Sequence, residues 1–283
     1  MTTWLLALSD THCGHKLGLC PPDVTLYDET KEGNLIPYVP ALTAFQQWLW
    51  DDVWLPSLET AQKTVGKERL IVVHLGDATH GDGHAEQLMG TRMADQIIIA
   101  GETIASLIET LHPAAIRLVK GTGVHEFGEG STAILLSKML GDTYRQIDIK
   151  PLYHWLLDVE GCLIDCAHHG PTIGARSWLG GNMARYYLRD IQMNALLMGE
   201  QAPDLVLRGH VHGLIDEVVT TGRIRGRIIV CPSLCGLGDY ARMKTRSAGI
   251  LAVGMYLIRL DSGEVKDIIP LVETLDIRTR EQL

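Results

Sequence analysis

Short apolar runs alternate along this chain with longer stretches of near-helical period. Trp4 to Leu8 is uniformly apolar and stops at Ser9-Asp10-Thr11-His12. Leu70 to Leu75 is a second such run, stopped by Gly76-Asp77, and Ala115 to Val119 a third, ending before Gly121. Short continuous apolar runs bounded by turn residues predict strands buried on both faces. Between them, residues 41–64 predict a helix, and residues 86–111 place Leu88, Met93, Ile97, Ile104 and Ile108 near helical spacing. Ser131 and Thr132 are candidate caps for a helix running to Leu140.

The later half is richer in hairpins. Strands are predicted at 155–159 and 162–167, turned by Glu160-Gly161, then at 204–207, 214–220, 225–231, 250–260 and 264–271, with a helix at 183–199. A β-α-β-α-β first half argues a parallel sheet with helices outside it. The expected fold is α/β: one domain over residues 1–283, two mixed sheets packed face to face, with helices on the outer faces.

Composition narrows the chemistry. The chain is 46% hydrophobic and 21% charged, ordinary for a folded protein and unlike a disordered one. With 25 basic and 34 acidic side chains the net charge is −9, so no global field for wrapping nucleic acid exists. The longest apolar run, Ala248 to Ile258, is far short of the roughly 20 residues that cross a bilayer. Trp4 to Leu8 lacks a preceding basic residue and meets Asp10 early, so a secretory signal is not expected and the cytoplasm is. The six cysteines then read as reduced thiols. Cys162 and Cys166 lie in one strand, and Cys231 and Cys235 in or next to another. Four residues of strand cover about 13 Å, too far for two thiolates to meet on one Zn²⁺. They are expected to be small core hydrophobes.

Ligand-type residues recur where predicted strands run out. They are Asp10 and His12, then Asp77, then His125 and Glu126, then His168 and His169, then His210 and His212. Sites in open α/β sheets form at the carboxyl ends of strands, so five strand ends could converge on one place. A mixture of carboxylate oxygen and imidazole nitrogen suits Mn²⁺, Fe or Zn²⁺ better than Mg²⁺ or Ca²⁺. Each piece alone is commonplace; their order, each after a strand, is the signal.

In that order Asp10-x-His12, Gly76-Asp77, Gly-x-x-x-His125-Glu126, His-Gly near 169 and Gly209-His210-x-His212 resemble the calcineurin-like metallophosphoesterase superfamily. The resemblance covers residues of about 4–215. It implies a four-layer α/β/β/α sandwich and a centre of two divalent cations, with Mn²⁺ expected and Fe or Zn²⁺ as alternatives. Asp10, His12, Asp77 and His212 would hold one cation. Asp77 would bridge to a second, held also by His210 and by His168 or His169, between which the pattern does not choose. His125 would be catalytic, beside the phosphate and off the metals, with Glu126 orienting it. The implied reaction is attack of a metal-activated hydroxide on a phosphodiester or phosphomonoester.

This chain departs from the superfamily twice. The family usually carries Gly-Asn-His after the third strand, the Asn being a ligand. Here Gly121-Thr122-Gly123-Val124-His125 leaves either Thr122 as the stand-in on a loop two residues longer, or Val124 in the Asn position and the ligand lost. An Asp three residues beyond the bridging one is replaced by His80; Asp82 and His84 either compensate for it or, as expected, lie in a surface loop.

For the substrate, Arg176, Trp178, Arg185, Tyr186, Tyr187 and Arg189 could hold a nucleic-acid backbone, as could the basic stretch 239–246. The same spacing fits an amphipathic helix with Tyr and Leu buried. A nucleotide-type phosphate ester is expected, nucleic acid being one form of it; no membrane partner is expected, and the oligomeric state is open. No phosphate-binding Gly-x-x-x-x-Gly-Lys loop or Gly-x-Ser-x-Gly elbow is present. The alternative to an enzyme is a metal-free member of the fold that serves as a partner-binding scaffold. Against it stands the cost of keeping many ionisable groups at buried strand ends.

Overall fold

A computed structural model describes residues 2–83, 87–90, 92–128, 130–171, 179–238, 242, 249–279 and 281. The fold is mixed α/β. Thirteen strands are named here in chain order: β1 (Thr3–Leu8), β2 (Leu26–Glu29), β3 (Leu35–Tyr38), β4 (Arg69–His74), β5 (Ala115–Val119), β6 (Asp148–Leu152), β7 (His154–Val159), β8 (Cys162–Ala167), β9 (Leu205–Arg208), β10 (Ile215–Thr221), β11 (Ile224–Val230), β12 (Ile250–Asp261) and β13 (Glu264–Asp276). One sheet has the order β13-β12-β1-β4-β5-β6, a second β10-β11-β9-β8-β7, and β2 pairs with β3 as a ribbon. Both large sheets are mixed. β1, β4, β5 and β6 run parallel, with β12 antiparallel to β1, and β8, β9 and β11 run parallel between antiparallel β7 and β10.

Alternation along β1 explains why it is apolar from Trp4 to Leu8. Trp4, Leu6 and Leu8 join a core with Leu58, Ile99, Leu107 and Leu136, which are helical residues. Leu5 and Ala7 join a different core with Ile164, Cys166, Leu205, Leu207 and Ile229 of the second sheet. Successive side chains point to opposite faces of a strand, so a strand covered on both sides needs no polar position. A third core sets Ala184 and Leu188 against Val206, Val219 and Ile228 on the other face of the second sheet. Each fully buried Leu or Ile contributes about 1.5–3 kcal/mol.

The helices are α1 (Ala44–Trp48), α2 (Leu55–Val65), α3 (Met93–Leu111), α4 (Ser131–Thr143) and α5 (Gly180–Met198). The helix expected over 41–64 is continuous except that Leu49–Trp54 is a π-helical turn joining α1 to α2. Pro56 lies in the first turn of α2. A proline ring clashes with the carbonyl four residues back and removes that hydrogen bond, which a widened turn relieves. Of the helix expected over 86–111, Met93–Leu111 is helical; residues 86 and 91 lie outside the described residues, and Leu88 forms a bridge with His15. The α4 cap is Gly130 at φ 73°, not Ser131 or Thr132. The β2–β3 ribbon and β6 fall where no strand was expected. All six cysteines are free and buried. No helix among the described residues is long and apolar enough to cross a membrane.

Candidate metal centre

The carboxyl ends of β1, β4, β5, β8 and β9 meet at one place. After β1 and β4 the chain continues as paired loops: the amides of Asp10 and His12 donate to the carbonyls of Gly76 and Asp77, each at 3.0 Å. Across the sheets, the His210 amide donates to Asp10 Oδ2 at 3.0 Å. Such close approach needs small residues. A Cβ at Gly209 would lie 2.0 Å from Ser9 Oγ, and one at Gly121 2.1 Å from Asp77 Oδ1. Asp10, His12, Asp77, His210 and His212 all hold positive φ, between 42° and 70°. That region is costly for non-glycine residues, and such strain gathers at functional sites.

Asp10, His12 and His212 form one group. Asp10 is fully buried, and its Oδ1 accepts no hydrogen bond. That oxygen lies 3.3 Å from His212 Nε2 and 3.8 Å from His12 Nε2, and the two nitrogens are 3.1 Å apart. A buried carboxylate oxygen facing two converging imidazole nitrogens could hold a cation; otherwise a proton on His212 offsets its charge.

The second group is His168, His169 and His210, with Asp77 joined to it through His168. His168 Nδ1 donates to the Leu75 carbonyl at 2.7 Å, which leaves Nε2 toward the site, 3.1 Å from Asp77 Oδ2. A backbone carbonyl holding the far nitrogen of a histidine is the usual means of aiming a ligand. Thr122 Oγ1 sits among these side chains, 3.2 Å from His168 Nε2, 3.5 Å from His169 Nε2, 3.2 Å from His210 Nδ1 and 3.3 Å from Asp77 Oδ2. Val124 is exposed, its side chain beside Gly83, whereas Thr122 reaches the cluster, so the loop is the longer one with Thr122 inward. Both His168 and His169 reach the cluster, their rings 4.8 Å apart.

The shared carboxylate differs from expectation. Asp10 groups with His12 and His212 and also with Asp77 and His168, whereas Asp77 joins only the latter group. The reason is local: Asp77 Oδ1 is taken by the Thr122 amide at 2.6 Å, so only Oδ2 faces the imidazoles.

His125 lies beside the first group, its ring 4.7 Å from that of His12. Its Nδ1 donates to the His80 carbonyl at 2.6 Å. Glu126 does not touch it. The Glu126 carboxylate accepts the amides of Gly121 at 3.0 Å and Ala133 at 3.1 Å, so it ties the loop carrying Thr122 to the first turn of α4. Burial, only partly offset by those amides, raises its pKa. Sequence reasoning gave His80 no role. It is buried, its Nδ1 lies 3.2 Å from His12 Nδ1, and its amide donates to Gln96. Asp82 is exposed; His84 lies outside the described residues.

Electrostatics draw positive charge into the cluster. Burial opposes ionisation of Asp10, but His212, His168 and His12 hold its carboxyl well below the usual range. Burial also disfavours charge on His168, yet the hydrogen bond to Asp77 and the charge of Asp10 lift it to about 9. His212 is raised in the same way, against burial, by Asp10. His12, His169 and His210 are lowered, first by burial and then by neighbouring histidines, which favours the neutral, ligand-competent form.

Of the substrate candidates, Arg176, Trp178 and all of 239–246 except Arg242 lie outside the described residues. Arg185 is paired with Glu217 at 2.7 Å, and buried Arg208 lies over the Tyr187 ring, so these two have partners within the fold, whereas Tyr186 and Arg189 are exposed.

No family model matches this chain, and no curated protein matches it. Among solved structures it is similar to sulfate thiohydrolase SoxB of Thermus thermophilus, in complex with glycerol. The identity is 12%, over 97% of this chain and 56% of SoxB, with a TM-score of 0.36. A Thermotoga maritima protein solved by NMR is 18% identical over 61% of this chain and 86% of its own, with a TM-score of 0.31. An Aquifex aeolicus protein of unknown function is 15% identical over 75% and 80%, with a TM-score of 0.32. This chain thus spans just over half the length of SoxB. Likenesses of this size carry no weight for activity, which rests on the chain's own residues.

Proposed function

We propose that this chain is a dinuclear metal-dependent phosphoesterase of the calcineurin-like type, acting on a nucleotide-type phosphodiester or phosphomonoester. The observation that carries the reading is the buried Asp10 Oδ1, without a hydrogen bond and faced by His12 and His212. The three cores support a single domain built as a four-layer α/β/β/α sandwich, and the free thiols suit the cytoplasm.

Asp10, His12 and His212 would hold one cation, and His168 and His210, with Asp77, the other. When bound, a pair of divalent cations polarises a phosphoryl group and acidifies water. The chain's residues supply the rest. His125, with its Nδ1 hydrogen fixed on the His80 carbonyl, keeps Nε2 for a proton passed to or from a substrate oxygen. Glu126 and Asp77 fix the loop between β5 and α4 that brings His125 and Thr122 to the cluster.

The test is the metal content of purified protein beside Mn²⁺-dependent hydrolysis of bis-p-nitrophenyl phosphate and p-nitrophenyl phosphate. Two equivalents of metal with turnover of either ester are expected. Protein that binds no metal and turns over neither would be a scaffold on this fold.

A further inference from the structure

The second cation group lacks the amide that the resemblance leads one to expect, and something else occupies its surroundings. His168 Nε2, His169 Nε2 and His210 Nδ1 converge with their ligand atoms within 4.8 Å of one another. The rings of His169 and His210 lie 4.6 Å apart, and those of His168 and His210 5.1 Å. All three nitrogens surround the Thr122 hydroxyl, a neutral and weak donor to metals. His169 is exposed at the mouth of the cluster, so its presence there is not required by packing.

We propose that His169 is itself a ligand of the second cation, so that a third imidazole replaces the missing amide and makes this site select Zn²⁺ over Mn²⁺. The inference rests on the dinuclear phosphoesterase reading. The three imidazole nitrogens of His168, His169 and His210 make a donor set of the kind Zn²⁺ takes with one position left open. Affinity for imidazole-rich sites rises steeply from Mn²⁺ toward Zn²⁺, while Mn²⁺ is served by oxygen donors such as the absent amide. The two sites are then unequal: Asp10, His12 and His212 tolerate Mn²⁺, whereas the site of His168, His169 and His210 discriminates against it.

The experiment strips the full chain of metal with a chelator and titrates Zn²⁺ or Mn²⁺ against a chromophoric competitor. Bound metal is counted by mass spectrometry for wild type, His169→Ala, Thr122→Asn and the double variant. Wild type is expected to take two equivalents of Zn²⁺. His169→Ala keeps the first and binds the second at least about tenfold more weakly. Its Zn²⁺/Mn²⁺ preference at that site falls by at least about tenfold, and adding Thr122→Asn restores Mn²⁺ binding there. Unchanged melting of the metal-free variants shows that they fold. A second Zn²⁺ equivalent bound by His169→Ala within about threefold of wild type would overturn the proposal alone. A wild-type protein taking no metal would remove the phosphoesterase reading with it.

Discussion

His125 Nδ1 donates to the backbone carbonyl of His80 at 2.6 Å, and the same His80 places its ring nitrogen 3.2 Å from Nδ1 of His12. One residue therefore links a candidate cation ligand to the candidate proton donor. The carbonyl fixes the His125 tautomer, so Nε2 is the nitrogen free for chemistry.

From this comes a pair of opposed outcomes. His125→Ala removes no atom from the groups built on Asp10 and Asp77, so both cations should stay bound while turnover drops by about 10²–10⁴, the usual worth of a positioned acid or base. Asp77→Ala removes a carboxylate oxygen 3.1 Å from His168 and should lose metal as well as turnover. Metal analysis of both variants beside a diester assay decides it, and equal metal loss would make His125 a ligand.

Gly209→Ala tests how tightly the two sheets are tied at the site. The added Cβ would lie 2.0 Å from Ser9 Oγ and 2.9 Å from Asp10 Oδ2. It must push the end of β9, with His210 and His212, away from the end of β1. We expect a loss of about 1–3 kcal/mol of stability from overpacking, with cation affinity lowered more than melting temperature would suggest. Calorimetric titration with Mn²⁺ and a thermal melt of the metal-free protein give the two numbers separately.

What the sequence made legible and what it hid follow one physical rule. Asp10, Asp77, His168 and His210 were visible because strands announce themselves by apolar runs and the residue after a strand needs no tertiary knowledge to locate. The β2–β3 ribbon and β6 were hidden because no unbroken apolar run marks them: Pro37 interrupts β3, whose first three residues are exposed, and β6 contains Lys150 and Pro151. His80 was hidden for another reason. Its importance depends on His12, which lies 68 residues away, and on Gln96, which holds the amides of both His80 and Gly81. Glu126 looked like a partner of its neighbour His125, yet its carboxylate reaches the amides of Gly121 and Ala133. Adjacent residues on a loop commonly point apart, and spacing alone cannot say where.

Arg208 supplies a prediction away from the cations. Its side chain is 1% exposed, with Nη1 2.6 Å from Asp165 Oδ1 and Nε 3.1 Å from the Tyr187 hydroxyl. Arg208→Met leaves Asp165 partly buried with only His154, at 2.8 Å, as a side-chain partner. Breaking one half of a buried ion pair costs about 3–5 kcal/mol, and replacing both halves with apolar residues costs much less. Urea denaturation should therefore show Arg208→Met far less stable than wild type and Arg208→Met/Asp165→Leu in between. A double variant less stable than the single one would refute the pairing as the cause.

His74 gives the pH dependence a sign. Its Nδ1 accepts the Gly76 amide at 3.3 Å, so its Nε2 hydrogen donates to Thr11 Oγ1 at 3.2 Å, and that hydroxyl donates to the Ala78 carbonyl at 3.0 Å. A second proton on the ring would break the first of these bonds. Burial, outweighing the nearby Asp10 and Asp77, pushes its pKa down from 6.5 to about 4. The unfolded chain then binds a proton that the folded chain refuses between those values. His74 therefore contributes its full stability above pH 6.5 and loses it as pH falls toward 4, by about 3 kcal/mol at most. His12, His169 and His210 are also lowered and add their own acid slope, so the informative quantity is a difference between two proteins. In urea denaturation of metal-free protein, wild type should lose stability more steeply than His74→Gln across that window. Curves that run parallel between the two would mean the imidazole takes up its proton in the folded state without cost.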